Sequence, residues 1–373
     1  MLPKKLQKRL EDRIQNNAFR HLGTDNKLID FSSNDYLGFA RDSNIFNNTQ
    51  DLLDKKHNIS NGSTGSRLLS GNHQLYHEFE VKLCQSHLCE AALVFNSGYT
   101  ANLGFFSSVP QRGDVIYYDE LAHASIRDGL TISRAKSYKF KHNDLQDLAE
   151  KLNKQKIASN NVIYVITESV FSMDGDSPDL VALSQLCKTH QAYLIVDEAH
   201  ALGVFDFGLM QKLKIEQDCF ARIITFGKAI GAHGAAILGS QKLVDYLVNF
   251  SRPFIYTTAM PPHTLATLIV AYDQLKNNHY LEKLQQNIAY FKSQIGQLSF
   301  IPSDSAIQCC LIPENNIVKS VSNHLKNKGF DVKPILSPTV SEGQERLRFC
   351  LHAYNTKKDI RGVLTALKEF QNL

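Results

Sequence analysis

Apolar residues along this chain fall into two kinds of pattern. Short, largely unbroken apolar runs lie at 91–97, 114–119, 162–167, 192–197 and 221–225. Runs of that length without polar alternation predict strands buried on both faces, as in parallel sheets. Between them apolar residues recur at helical spacing, as at Leu75, Phe79 and Leu83. Strand, crossover helix and strand repeating in this way predict an α/β fold with a mostly parallel central sheet covered on both faces.

The flanks read differently. Leu2, Leu6, Leu10 and Ile14 recur every fourth residue among charges, which predicts an amphipathic first helix whose apolar stripe packs on something. Residues 28–38 predict a short strand running into a polar turn, whose candidate site residues are Asn34 and Tyr36. After Ser240 the pattern is mainly helical to about 295, and then strands at 307–312 and 347–351 alternate with helices at 318–328 and 356–370. This predicts an N-terminal arm and helix at 1–40, a large domain at 41–275 and a smaller α+β domain at 276–373. The Gly- and Ser-rich piece 61–72 is too short for a linker, and its order implies that something docks against it.

Composition narrows the class. A chain of 373 residues with 43% hydrophobic content can bury a large core. The formal charge of +4 is small and dispersed, so it makes no case for nucleic acid or a membrane surface. Seven cysteines without framework spacing fit a reduced compartment, with Cys84, Cys89, Cys309 and Cys310 as small core residues rather than metal ligands. The basic amino terminus is followed by no apolar segment of signal-peptide type, and no run approaches the roughly 20 residues of a membrane span. A cytoplasmic location is the expectation.

Candidate chemistry gathers between Ala192 and Ser240. The run at 192–197 ends in Asp197-Glu-Ala-His, and the run at 221–225 ends in a glycine-rich turn carrying Lys228. Ligands of open α/β sheets collect at the carboxyl ends of the strands. A lysine partly desolvated there can form Schiff bases, and a cofactor working through such a base as an electron sink needs an acid facing its ring nitrogen, for which Asp197 is suited. A solvated turn lysine has the same surroundings, and Asp-Glu-Ala-His also fits a helicase-type box. That box needs an upstream phosphate loop G-x-x-x-x-G-K-[ST], which the chain lacks. His73, His77 and Glu78 lack the spacing of a zinc-protease helix, so no metal is expected. Gly98 and Tyr99 open a helix after a strand, a ready phosphate site. His123 lies in a loop after another strand, and its residue type alone leaves its role open.

Read in order, Phe31-Ser-Ser-Asn-Asp-Tyr-Leu-Gly, Gly65-Ser-Arg-Leu-Leu-Ser-Gly-Asn, Ser97-Gly-Tyr, Leu121-Ala-His-Ala-Ser, Thr167-Glu-Ser-Val-Phe-Ser-Met-Asp-Gly-Asp, Asp197-Glu-Ala-His, Thr225-Phe-Gly-Lys, Tyr256-Thr-Thr-Ala-Met-Pro-Pro and Pro338-Thr-Val make the chain resemble the α-oxoamine synthase family. The resemblance spans nearly the whole chain. It implies the fold-type-I transferase fold of enzymes that use pyridoxal 5'-phosphate (PLP). It implies that Lys228 holds the cofactor, that Asp197 pairs with the pyridine nitrogen, that His200 bonds the phenolic oxygen and that His123 stacks on the ring. Gly98, Tyr99 and Thr225 are implied to contact the cofactor and its phosphate, with Ser172 beside the ring. Arg20, Asn34, Thr339 and Arg348, with His123, match substrate-side positions, and Arg348 is the candidate for the amino-acid carboxylate. Family members are homodimers sharing their active sites, which implies that Thr257 and Thr258 serve the neighbouring subunit's phosphate site.

Within the family, the Phe-Ser-Met-Asp-Gly-Asp and Gly-Ser-Arg-Leu-Leu-Ser-Gly-Asn forms resemble members that condense L-alanine with a pimeloyl thioester, carried by coenzyme A or by an acyl carrier protein, in biotin biosynthesis. Other members use glycine or serine. A non-catalytic scaffold of the same fold typically lacks the lysine, which this chain keeps. Several relatives carry an arginine shortly before Pro-Thr-Val, where this chain has Leu336-Ser337, with Lys333 as the nearby basic alternative.

Overall fold

The computed structural model describes residues 2–23, 27–155, 158 and 160–371. The chain divides into two compact units, Asp35–Ser172 with Ser177–Glu282, and Met1–Asn34 with Met173–Asp176 and Lys283–Leu373. In chain order the elements are α1 (Lys4–Gln15), β1 (Ile29–Asp30), α2 (Ser43–Lys55), α3 (Gln74–His87), β2 (Ala91–Phe95), α4 (Gly98–Ser108), β3 (Val115–Asp119), α5 (Ala124–Ile132), β4 (Lys136–Phe140), α6 (Leu145–Lys154), β5 (Ile163–Glu168), α7 (Leu180–Thr189), β6 (Tyr193–Asp197) and α8 (Leu209–Lys212). There follow β7 (Cys219–Thr225), β8 (Ala235–Gly239), α9 (Gln241–Phe250), α10 (Arg252–Ile255), α11 (Pro262–Leu275), α12 (Asn278–Gln294), β9 (Ile307–Leu311), α13 (Asn315–Asn327), β10 (Phe330–Asp331), β11 (Lys333–Ile335), β12 (Arg346–Cys350) and α14 (Lys357–Gln371).

The larger unit is built on a seven-stranded sheet of order β2-β8-β7-β6-β5-β3-β4. Pairings from β4 through β7 are parallel, and β8 runs against both β7 and β2. The unbroken apolar runs have a simple cause. Ile116, Tyr164, Ile166 and Ile195 enter a core with α4 and α5 on one face, while Val115, Tyr117, Ile163, Val165, Leu194 and Val196 enter a second core with α6 and α7 on the other. Successive strand side chains point to opposite faces, and here both faces are covered. The predicted α/β architecture is the observed one.

The edge strand β4, Lys-Ser-Tyr-Lys-Phe, was not legible as a strand, because only its Phe140 is buried. Its lysines sit at the sheet margin, where charge discourages pairing with another chain. The Gly- and Ser-rich piece is ordered by hydrogen bonds to the loop after α10. Ala259 N–H donates to Gly65 O at 2.9 Å and the Ser63 hydroxyl to Met260 O at 2.8 Å.

The smaller unit holds an antiparallel sheet of order β11-β12-β9 and a two-residue parallel pair of β1 with β10. Phe291, Phe300 and Phe349 form its aromatic centre, with ring centroids 5.4 to 5.8 Å apart. The stripe of α1, expected to pack, stays exposed within the chain at Leu2, Leu6, Leu10 and Ile14. Cys309 and Cys310 are buried core residues as expected, whereas Cys84 and Cys89 are half-buried. Among the described residues no helix is long and apolar enough to cross a membrane.

Candidate active site

Three neighbouring parallel strands place the site. Asp197 is the last residue of β6 and stands in register with Glu168, the last residue of β5. Beyond β7 the chain turns through residues 226–234 into β8, and this turn carries Lys228. It is closed by Phe226 N–H to Gly234 O at 2.8 Å, Ala232 N–H to Phe226 O at 2.9 Å and Gly231 N–H to Lys228 O at 2.9 Å. Gly231 adopts φ +65°, and a Cβ there would fall 2.1 Å from the Ala40 nitrogen. Only glycine meets both the positive φ and the close approach.

The buried Asp197 carboxylate is oriented by two donors. Asn102 Nδ2 donates to Oδ2 at 2.8 Å and the Ala199 N–H to Oδ1 at 2.9 Å. His200, three residues on, is also buried, and its Nδ1 lies 2.8 Å from the hydroxyl of the fully buried Tyr36. His123 caps the start of α5. Its Nδ1 meets the Ser125 hydroxyl at 2.7 Å, and its backbone N–H donates to Glu168 Oε1 at 2.6 Å.

These groups act on one another electrostatically, which shows that the fold gathers them. Surrounding protein strips water from His123 and lowers its pKa even though part of the ring surface is open. The Asp197 and Asp128 charges oppose the shift, and Lys228 and Arg127 reinforce it. Glu168 is pushed up to about 8, first by burial and then by the Asp197 charge, against the pull of Lys228. A carboxyl shifted in this way within a cluster of ionisable groups is a mark of functional sites.

The helix α4 begins at the same end of the sheet, because β2 runs parallel to β7 with β8 between them. Ser97 caps it, accepting the Thr100 N–H at 3.1 Å, while Thr100 Oγ1 accepts the Ser97 N–H at 3.0 Å. This reciprocal cap leaves the amides of Gly98 and Tyr99 in the first turn, where helix geometry gives them no intrahelical acceptor. Gly98 packs at the Thr225 side chain, 3.5 Å from where a Cβ would stand. The half-exposed Tyr99 donates its hydroxyl hydrogen to Asp128. Asn96 Nδ2 ties down the loop after α10 through Thr257 Oγ1 at 3.3 Å and Thr258 O at 2.8 Å. Ser172 is partly buried in the loop beyond β5.

The remaining predicted residues belong to the smaller unit. Arg348, on the central strand β12, is buried and donates to Asn34 Oδ1 at 3.0 Å and Cys350 Sγ at 3.0 Å. Thr339 is exposed in a turn closed by its own N–H to Leu336 O at 2.8 Å. Arg20 is exposed beyond the end of α1. Lys333 is ion-paired with Asp331 at 2.7 Å.

Asn102, Ser125 and Glu168 escaped the sequence reading as individual site residues. Glu168 and Ser125 sat inside motifs already singled out. Asn102 carried one signal, an amide in the interior of an otherwise apolar and small-residue helix.

The donor set suits PLP at three points. An amine is present for its aldehyde, a buried and oriented carboxylate for its pyridine nitrogen, and a capped helix start with a threonine hydroxyl for its phosphate. The model for aminotransferase class I and II matches residues 26–367. The chain is 36% identical over 365 residues to the 8-amino-7-oxononanoate synthase of Emericella nidulans, covering 91% of this chain and 88% of that one. It is 37% identical over 353 residues to the Hydrogenovibrio crunogenus enzyme of that name, covering 93% and 88%. Among solved structures, the 8-amino-7-oxononanoate synthase from Francisella tularensis superposes with a TM-score of 0.79 at 29% identity, covering 93% of this chain and 99% of that one. A serine palmitoyltransferase from S. paucimobilis shares the fold with a TM-score of 0.88 at 24% identity, over 99% and 97%. With its amine, its buried acid and its capped helix set on a sheet of this order, the chain belongs to the aminotransferase class I and II family, among the α-oxoamine synthases.

Proposed function

We propose that this protein condenses L-alanine with a pimeloyl thioester, releasing carbon dioxide and free thiol and yielding 8-amino-7-oxononanoate, a step of biotin biosynthesis, with PLP as cofactor. The observation that carries the reading is the gathering of Lys228, Asp197 and His123 at the carboxyl end of the sheet, in a chain matched along most of its length by enzymes named for that product. Bound PLP supplies an electron sink.

The chain's own residues supply the rest. Lys228 is the amine that would hold the cofactor at its aldehyde, and it would serve as the base that takes the alanine Cα proton. Asp197, held by Asn102 and Ala199, keeps the pyridine nitrogen protonated. His200, braced by Tyr36, bonds the phenolic oxygen. His123 covers the ring, with Ser172 beside it. The first-turn amides of α4 at Gly98 and Tyr99, with Thr225, take the phosphate, and Thr257 and Thr258 do so for a second subunit of a homodimer. Arg348 binds the amino-acid carboxylate, its planar fork suited to two parallel hydrogen bonds. Asn34, Arg20 and Thr339 complete the substrate side. The acyl donor is coenzyme A or an acyl carrier protein.

One experiment tests the reading. The purified protein is given alanine, glycine or serine with pimeloyl, palmitoyl or acetyl thioesters, and thiol release is followed. Alanine with pimeloyl thioester is expected to turn over fastest. Faster turnover with serine and a palmitoyl donor would replace the reading with that of the structural neighbour. Borohydride reduction followed by peptide mass spectrometry is expected to place the cofactor on Lys228.

A further inference from the structure

Which nitrogen of an imidazole carries the proton is set by the hydrogen bond at the other nitrogen. For His123 the surroundings decide it. The Ser125 N–H donates to Nδ1 at 3.2 Å, and the Ser125 hydroxyl lies 2.7 Å from the same atom. A backbone N–H can only donate, so Nδ1 is an acceptor.

The direction of the hydroxyl is settled one link away. Asn102 presents a single atom to both Asp197 Oδ2, at 2.8 Å, and Ser125 Oγ, at 3.0 Å. An ionised carboxylate accepts only, which identifies that atom as the amide nitrogen rather than the oxygen. Its second hydrogen therefore goes to Ser125 Oγ. That hydroxyl, having accepted there, gives its own hydrogen to His123. The donors diverge from Asn102, toward Asp197 on one side and through Ser125 to His123 on the other.

We propose that Asn102 and Ser125 are positioning residues that form a hydrogen-bond chain joining Asp197 to His123, with Asn102 donating to both sides, and fix the imidazole proton on Nε2. The inference rests on the reading of Asp197 and His123 as the residues facing the cofactor. Asn102 and Ser125 are 2% and 1% exposed, so water does not compete for either bond. Groups facing His123 divide in sign. Asp197 of β6 and Asp128 of α5 favour a charged ring, while Lys228 after β7, Arg127 of α5 and the loss of hydration oppose it, and the net direction is downward. Glu168 of β5 takes the His123 backbone N–H and leaves the ring nitrogens to the hydrogen-bond chain. The acid and the ring are thereby one device: an alteration at Asn102 removes a donor from Asp197 and frees the hydroxyl at His123 to reverse.

The test uses the full chain loaded with PLP and labelled with 15N-histidine. Long-range proton–nitrogen correlation spectra are recorded from pH 6 to 9, with His123 assigned by its loss in His123→Gln. The wild-type ring is expected to show the Nε2–H pattern. Asn102→Leu and Ser125→Ala are expected to mix the two tautomers and to raise the His123 midpoint by about half a unit to one unit, the worth of one hydrogen bond. Ser125→Ala removes a single oxygen, so it keeps the test valid should Asn102→Leu fail to fold. An Nδ1–H pattern in the wild type, or His123 signals unchanged in the folded variants, would overturn the proposal. Failure of borohydride to trap the cofactor on Lys228 would instead remove the functional reading and leave the tautomer assignment standing.

Discussion

Tyr36 and His200, 164 residues apart in the chain, meet through a 2.8 Å hydrogen bond between the phenol hydroxyl and Nδ1, with both side chains buried. The phenol fixes the orientation of the imidazole that is proposed to face the cofactor's phenolic oxygen. Tyr36→Phe removes that bond and keeps the ring's volume. Turnover is expected to fall about three- to tenfold, the kinetic equivalent of one hydrogen bond, with the cofactor's absorption maximum displaced. Unchanged spectrum and rate would remove Tyr36 from the site.

Glu168 makes a prediction about pH. Burial and the neighbouring Asp197 charge raise its pKa from the ordinary carboxyl range to about 8. Between those two values the folded state binds a proton that the unfolded state has given up. Stability due to this group is therefore complete below the ordinary range and is lost as pH climbs toward 8. Cofactor-free protein is expected to lose more melting temperature between pH 5 and pH 8 than Glu168→Gln, which carries no titrating proton there. Equal slopes in thermal melts would show that Glu168 is ionised in the folded protein throughout.

Arg348 already spends bonds on Asn34 and Cys350, which aim its guanidinium. Arg348→Lys keeps the charge and loses the planar fork. The KM for alanine is expected to rise about ten- to hundredfold with a smaller change in kcat, because the lost contact serves substrate and transition state alike. Steady-state kinetics at saturating thioester decide it. A fall in kcat at constant KM would move Arg348 out of the carboxylate-binding role.

Gly231 links the fold to the lysine. With φ at +65° and the Ala40 backbone directly against its Cα, Gly231→Ala is expected to cost about 1–3 kcal/mol in strain and to reduce cofactor uptake through displacement of the turn. Urea unfolding and absorbance titration read the two effects separately. A variant as stable as the wild type would show that the turn has room to move.

Most of the buried strands could be read from the sequence, because a strand covered on both faces has to be apolar throughout, as in Ala91–Phe95. Neither β8 nor its reversed course was among the strands read from the sequence; its Ala-Ala-Ile-Leu-Gly follows the glycine-rich turn directly, and direction leaves no mark on composition. The edge strand β4 was lost for the opposite reason, having almost no buried residue. In the site, Lys228, Asp197 and His200 stood out because reactive groups followed apolar runs. Asn102 did not, because its value lies in two contacts, to Ser125 and Asp197, that are 23 and 95 residues away along the chain.

The reversal at β8 also bears on how the lysine works. Both ends of its turn are anchored in adjacent strands paired from Arg222 with Leu238 to Thr225 with Ala235. The peptide backbone at 228 is thus moored on either side, so in the proposed role of Lys228 any movement of its amine would fall to the swing of four methylene groups rather than to a hinge in the chain. Such a motion belongs to rotamer hopping, fast enough to leave the pace of turnover to the chemistry or to product departure.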